Sequence, residues 1–302
     1  MKHSLFLCWA GALFYLLFML VISCGSSQAV TSPTSATDTV GREVIFMPEN
    51  DLHLEDGFFL SSMSQSEFNS VINKLTNAYS SVVANLGANL KIIGNWNDNT
   101  VNAYAYQRED YWYVEIFGGL ARRPELSPDG LALVICHELG HHLGGFPYYV
   151  GEWASSEGQS DYFSTQACAK KIWGGETSNN RRAYENGSYS AVKFCEQSRI
   201  PDSRVPLCVR TVDASMGLAS LLGGGGNFSP LYPDKTEVRR TQTSHPDAQC
   251  RLDTYAQGVI CAARWYDKVI PKSEYQTSKY TCTRSKGYQE GNRPLCWYKP
   301  RN

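Results

Sequence analysis

Apolar residues recur at helical spacing in the first well-patterned stretch of the chain. Ser64 and Glu67 form the Ser-x-x-Glu pattern of a capping box, in which each side chain bonds the backbone of the other residue. The apolar positions that follow at intervals of three and four are Phe68, Val71, Ile72, Leu75, Tyr79, Val82, Val83 and Leu86. This spacing predicts an amphipathic helix that ends at Gly87.

Three stretches rich in β-branched and aromatic residues come next. Residues 90–96 predict a short strand, and residues 101–106 and 111–117 predict a hairpin around the polar turn 107–110. Side chains alternate along the last strand, with one face formed by Trp112, Val114 and Ile116 and the other by Tyr111, Tyr113 and Glu115. The order helix, strand, hairpin indicates an α+β fold with a small mixed sheet.

A second helix is predicted directly after the hairpin. Ser127 is the expected N-cap, Pro128 suits the first helical position, and Asp129 favours the positive end of the helix dipole. The residues from 131 to 135 are almost all apolar, and Gly144 follows the last turn. A helix that is apolar on all sides is typical of a protein core.

This buried helix carries the pattern His-Glu-x-x-His at residues 137–141. Histidines four residues apart project from one helical face, so His137 and His141 are close enough to share a metal ion. Glu138 then reaches a zinc-bound water as general base. The same five residues also occur in inert helices, so the buried position and a third ligand are what favour a catalytic zinc site.

Two patterns compete to supply the third ligand. In the extension His-Glu-x-x-His-x-x-Gly-x-x-His, Gly144 fits, but Pro147 stands at the last position and has no atom that binds a metal. Met216 could imitate the methionine turn of that class, but we prefer to interpret it as a core or loop methionine.

The other pattern takes a glutamate from the following helix, predicted over 153–173. Glu157 and Asp161 lie one helical turn apart, so Glu157 is expected to bind zinc while Asp161 accepts a hydrogen bond from a ligating histidine. Glu152 competes for this role but has Ser156, rather than a carboxylate, four residues later. We therefore prefer Glu157.

Composition narrows the class of protein and its compartment. The 302 residues are 42% hydrophobic and 19% charged with a net charge of −1, which gives no basic bias towards nucleic acid. Lys2 precedes an uncharged apolar run from Leu5 to Ile22, as in an export signal. Val21-Ile22-Ser23-Cys24 resembles a bacterial lipobox, which predicts a lipid anchor at Cys24. Ordinary cleavage near Ser27-Gln28-Ala29 and a retained membrane anchor are the alternatives.

Cysteine usage agrees with export. Apart from Cys8 and Cys24, eight cysteines remain at positions 136, 168, 195, 208, 250, 261, 282 and 296. An even number in an exported chain predicts up to four disulfides. The shortest local pairings are Cys195 with Cys208 and Cys282 with Cys296.

Four segments, taken together, resemble a known family. Asn102-Ala-Tyr-Ala105, Gly119-Leu120, the helix from Leu131 to His141, and His245-Pro246 with Arg251 six positions after the histidine follow in the family's order. They resemble the gluzincin zinc peptidases that include the heat-shock protease HtpX and the CAAX prenyl endopeptidases. The resemblance spans about residues 64–255.

The resemblance implies a zincin-like metalloprotease fold, with an edge strand, an active-site helix and a following glutamate helix. It implies His137, His141 and Glu157 as zinc ligands and Glu138 as base, with Asp161 behind the ligands. It also suggests that Asn102, His245 and Arg251 lie near the substrate or the developing oxyanion.

A strand just before the active-site helix is placed to pair with an extended peptide, so Tyr113 and Glu115 join the candidate substrate-binding residues. The alternative is a sheet that only backs the helix, and the two interpretations are compatible. The expected organisation is a signal peptide at 1–23, a flexible tether at 24–45, a zinc peptidase domain at 46–265 and a cysteine-containing extension at 266–302. The expected function is a zinc-dependent endopeptidase of the bacterial envelope, at its periplasmic face. A non-catalytic module of the same fold, which binds or chaperones partner proteins, is the alternative.

Overall fold

The computed structural model describes residues 43–50, 52 and 63–300. The predicted signal peptide, the lipid anchor at Cys24 and most of the predicted tether lie outside these residues. Val44–Ile45, which the sequence placed at the end of the tether, forms strand β1.

The sheet has four strands and is mixed, as expected for the α+β class. Strands β2 (Asn89–Asn95), β3 (Ala103–Arg108) and β4 (Tyr111–Phe117) join β1 in the order β1-β3-β4-β2. The β1–β3 and β3–β4 pairs are antiparallel, whereas β2 and β4 are parallel.

The hairpin strand β4 is internal, which corrects one expectation. Its backbone is paired with β3 on one side and with β2 on the other, so it has no free edge at which to bind a peptide. The edges of the sheet in the described chain are β1 and β2.

The α-helices of the described residues lie mostly after the sheet. They are α1 (Gln65–Asn85), α2 (Gly118–Ala121), α3 (Pro128–Leu143), α4 (Glu157–Phe163), α5 (Lys170–Trp173), α6 (Thr177–Glu185), α7 (Tyr189–Gln197), α8 (Val205–Leu222), α9 (Ala248–Ile260) and α10 (Glu274–Thr277). A π-helical segment (Ser164–Ala169) joins α4 to α5. The helix predicted over 153–173 is therefore made of these three elements, and it begins at Glu157, four residues later than expected. Short 3₁₀ turns lie at Asp202–Arg204 and Arg284–Lys286.

Local capping signals place the first long helices correctly. Glu67 N–H donates to Ser64 Oγ, and Ser64 N–H donates to a Glu67 carboxylate oxygen 2.8 Å away. At α3, Gly130 N–H donates to Ser127 Oγ at 3.1 Å. These bonds satisfy N–H groups that the helix itself leaves unpaired.

Helix α3 runs through the centre of the protein. It contacts α1, α4, the π-helical segment, α8 and both strands of the hairpin. Every residue from Gly130 to Leu143 is buried. This position explains the apolar pattern on all sides of α3, and it places the two histidines in the interior.

Four disulfides pair all eight cysteines of the described chain, as predicted. Cys195–Cys208 is confirmed, whereas the predicted Cys282–Cys296 bond is wrong. The structure instead pairs Cys250–Cys296, Cys261–Cys282 and Cys136–Cys168. The two ends of α9 thus hold the C-terminal segment, and four disulfides indicate an oxidising, extracellular compartment.

The C-terminal segment packs against the rest of the protein. Trp297 is fully buried, its ring meets the backbone of α4 at Gly158, and its Nε1 donates to Thr254 Oγ1 at 3.0 Å. Among the described residues, Asp202–Leu222 is long and apolar enough to cross a membrane, with 56% of its apolar window buried inside the protein. A core helix of a soluble domain passes the same test.

Candidate metal centre

Three donor side chains of α3 and α4 converge in the protein interior. The Nε2 atoms of His137 and His141 are 3.0 Å apart. Glu157 Oε2 lies 3.2 Å from His137 Nε2, and Glu157 Oε1 lies 3.7 Å from His141 Nε2. Ligand atoms of a tetrahedral zinc, about 2.0–2.1 Å from the metal, are about 3.3 Å from one another. The triangle therefore has the size that a zinc ion requires.

The outer nitrogens of both histidines are held by acceptors. His137 Nδ1 lies 2.7 Å from Asp161 Oδ1, and His141 Nδ1 lies 2.8 Å from the carbonyl oxygen of Ser155. These bonds place a proton on each Nδ1, so the two Nε2 atoms face each other. Two lone pairs at 3.0 Å repel, so this arrangement is stabilised by a positive centre between them, either a proton shared by the two rings or a metal ion.

Buried carboxylates make this point of the interior favourable for positive charge. Burial lowers the pKa of His137, but Asp161 and Glu157 outweigh it and raise the pKa to about 9. Burial raises the pKa of Glu157, but the neighbouring histidines lower it to about 2. Burial lowers the pKa of His141 to about 3, as expected for a neutral ligand. The same potential that attracts a proton also attracts a metal ion.

A buried arginine supports the carboxylate behind His137. Arg251 Nη2 donates to Asp161 Oδ1 at 2.8 Å, and Arg251 Nε donates to Asp161 Oδ2 at 2.9 Å. Burial raises the pKa of Asp161, but Arg251 and His137 hold it well below its usual range. Arg251 therefore keeps Asp161 charged, and Asp161 fixes the ring of His137.

Glu138 is fully buried, and neither of its carboxylate oxygens has a hydrogen-bond partner in the described structure. Burial raises the pKa of Glu138 to about 8. A buried carboxylate without partners is costly and is kept where chemistry uses it. Together with His137 and His141 it forms a group of donor atoms within 4.8 Å of one another that could hold a metal ion.

A second group with similar spacing does not fit a metal. Asp234, Cys250 and Cys296 meet the same distance criterion. However, Cys250 and Cys296 form a disulfide, so neither sulfur is available as a thiolate.

His245 and Tyr149 complete the surroundings of Glu157. His245 Nε2 lies 3.3 Å from Glu157 Oε2 and 2.8 Å from the carbonyl oxygen of Ile45. Burial lowers the pKa of His245. The Tyr149 hydroxyl donates to Glu157 Oε1 at 2.6 Å. Sequence reasoning missed Tyr149, although its place between the two ligand helices offered a signal.

The other predicted site residues divide into two groups. Asn102 is buried beside the chain that follows β1: its Oδ1 accepts from Met47 N–H at 3.0 Å. Tyr113 and Glu115 instead contact neighbouring strands, through a ring stack on Tyr106 at 4.7 Å and a hydrogen bond from Asn95. Tyr113 and Glu115 lie on β4, and β3 separates this strand from β1.

His142 and Met216 lie near the proposed ligands in the sequence or in the candidate motifs, but both pack against other residues in the structure. His142 has a packing role: it stacks between Trp112 and Trp153, with ring centroids 5.1 and 4.7 Å away. Burial lowers the pKa of His142 to about 4. Met216 lies on α8 beside Ser188 rather than in a turn below the histidines.

Comparison with protein-family models, with curated proteins and with solved structures finds no match to this chain. The geometry of the centre must therefore carry the functional argument. It defines a buried group of two histidines and two glutamates that could hold a metal ion.

Proposed function

We propose that the protein is a zinc-dependent endopeptidase of the bacterial envelope with a zincin-like fold. The observation that carries the proposal is the unpartnered, fully buried Glu138 beside the His137–His141–Glu157 triangle. A purely structural zinc site has no use for a second glutamate in the position of a base. The four segments that resemble gluzincin peptidases support the same class.

The residues divide the chemistry between them. His137, His141 and Glu157 would hold a zinc ion, which when bound would lower the pKa of a coordinated water to about 7 and polarise the scissile carbonyl. Glu138, as a carboxylate beside that site, accepts the proton of the attacking water and returns it to the leaving amine.

Donors beside Glu157 serve the developing negative charge. His245 Nε2, now bonded to a carbonyl oxygen, and the Tyr149 hydroxyl are the two nearest candidates for oxyanion donors. Arg251 acts one step further back, since it is bonded to Asp161 rather than to a ligand. Its role is to position Asp161 and, through Asp161, His137.

Cleavage of casein and of a peptide library by the zinc-loaded, exported protein tests the function. We expect cleavage that a chelator abolishes and added zinc restores. Cleavage that survives complete zinc removal would contradict the proposal. The natural site of action in this proposal is the periplasmic face of a bacterial membrane, reached through a lipid anchor at Cys24.

One observation favours the alternative, a non-catalytic module that binds partner proteins. His137, Glu138, His141 and Glu157 are all at 0% exposure, so the centre as described is closed to a peptide. If this closure is permanent, the metal is structural. The two functions differ in whether any peptide is cleaved and in whether Glu138 matters for turnover.

A further inference from the structure

The short strand β1 lies along the edge of β3, next to the metal centre. Val44 pairs with Ala105 and Ile45 with Tyr104, and Phe46 N–H donates to the Ala103 carbonyl oxygen at 3.0 Å. We call the chain from Val44 to Met47 the covering segment: Val44 and Ile45 are extended along the strand that follows Asn102, and the backbone bends at Phe46 and Met47.

Side chains predicted to act on substrate hold the backbone of the covering segment. His245 Nε2 lies 2.8 Å from the Ile45 carbonyl oxygen, and Arg251 Nη1 donates to the Phe46 carbonyl oxygen at 3.0 Å. Asn102 binds Met47 at both backbone groups, accepting from its N–H at 3.0 Å and donating to its carbonyl oxygen at 3.3 Å. These contacts recognise backbone, and any extended peptide offers the same groups.

The side chain of Phe46 packs against the metal centre. Its ring meets the ring of His137 edge-on, with centroids 5.2 Å apart, and the Arg251 guanidinium lies 4.8 Å from its centroid. Phe46 is at 0% exposure, as are His137 and Glu138 beneath it. At this exposure neither a peptide nor bulk water reaches Glu138, and Phe46 is among the side chains packed around the centre.

We propose that the covering segment is an intramolecular inhibitor, which occupies the place of an extended peptide substrate and must leave before catalysis. This inference rests on the proposed peptidase function. Only two residues of the segment are paired in the sheet, at an edge, so it can detach while the β3–β4 hairpin stays intact.

Phe46→Ala in the full chain tests the inference, with Phe68→Ala as the matched control. Both phenylalanines are fully buried, but Phe68 packs on Trp96 away from the histidines. We expect Phe46→Ala to raise the rate of zinc release to a chelator by roughly tenfold or more, since it populates the detached state. Peptide cleavage should rise with it, and Phe68→Ala should change neither rate beyond its effect on stability.

Two further measurements extend the test, and the first is made on the wild type and so does not depend on how well the variant folds. In the wild-type protein, the Phe46 amide should exchange with solvent faster than the amides of β4, without global unfolding. A synthetic peptide of residues 43–48 should inhibit Phe46→Ala competitively. It should inhibit the wild type much less, because the wild type carries its own segment at high effective concentration.

The outcomes separate the inference from the function beneath it. Faster zinc release and exchange in Phe46→Ala without any cleavage would keep the removable segment and overturn the peptidase. The inference would be overturned if Phe46→Ala changed neither the rate of cleavage nor the rate of zinc release, and if the Phe46 amide of the wild type exchanged only on global unfolding. That result would show that the covering segment is permanently paired.

Discussion

Asp161 Oδ1 lies 2.7 Å from Nδ1 of His137, on the side of the ring opposite to the nitrogen that faces His141. The bond decides which nitrogen of His137 is free for a metal. Because Arg251 binds both oxygens of Asp161, the carboxylate cannot rotate away from the ring without losing that pair.

Asp161→Asn should therefore weaken zinc binding without abolishing it. An amide loses the charge that supports His137 and leaves Arg251 without its ion pair. Changes behind a ligand of this kind cost about 10–100-fold in metal affinity. Zinc affinity measured by competition with a chelating dye checks the expectation. Asp267→Asn, which removes a half-exposed carboxylate paired with Lys171, is the control and should leave the affinity unchanged.

The third ligand can be tested by zinc content alone. Glu157→Ala should lose most bound zinc, because two histidines by themselves bind the metal weakly. Glu152→Ala should keep it, since Glu157 is the glutamate that contacts both histidines. Metal analysis of the purified variants distinguishes the two. Full zinc in Glu157→Ala together with loss in Glu152→Ala would refute the ligand set.

The predicted lipid anchor concerns residues that the structure does not describe. Replacing Cys24 with alanine removes the thiol that a lipid would modify. The variant should be released from membranes into the soluble exported fraction with its catalysis unchanged. Fractionation of cells that export the protein provides the measurement. If the wild type is already soluble after export, the anchor is absent.

Lys170 gives a pH dependence far from the metal centre. Its Nζ donates to the Cys261 and Gly258 carbonyl oxygens at 2.6 and 3.3 Å, and burial lowers its pKa to about 7. An unfolded lysine titrates near a pKa of about 10.4. Between these values the unfolded chain binds more protons, so this residue makes the free energy of unfolding rise with pH, by at most about 1.4 kcal/mol per pH unit.

Lys170→Met should remove that contribution. Urea unfolding of wild type and variant at pH 7 and pH 9, with disulfides intact, measures it. The stability of the wild type relative to the variant should increase from pH 7 to pH 9. Parallel pH profiles for the two proteins would show that Lys170 titrates normally in the folded state.

The parts of the fold that sequence predicted well depend on neighbours in the chain. Ser64 and Ser127 cap their helices through bonds to residues three positions away, and the β3–β4 hairpin closes over a two-residue turn. The distance between Glu157 and Asp161, one helical turn, likewise predicted that both would face α3. Each of these patterns is complete within a few residues.

The parts that sequence did not predict depend on distant neighbours. Ile45 meets His245, and Phe46 meets Arg251, across about two hundred residues, so no local pattern marks the covering segment. Cys282 pairs with Cys261 because the C-terminal segment returns to the end of α9. The short distance in sequence between Cys282 and Cys296 gives no sign of this return. The internal position of β4 follows from its parallel pairing with β2, which is equally invisible in either strand alone.

We propose that Glu138 acts as a base beside a bound zinc ion. Zinc content and peptide cleavage should therefore be measured together in two proteins, Phe46→Ala and the double variant Phe46→Ala/Glu138→Gln. Both carry Phe46→Ala so that the covering segment does not hide activity. Glutamine has nearly the shape of glutamate but accepts no proton. We expect one zinc per chain in both proteins, with cleavage in the one that keeps Glu138 and none in the one that carries glutamine. Cleavage at the same rate with glutamine at position 138, in protein with full zinc, would contradict it.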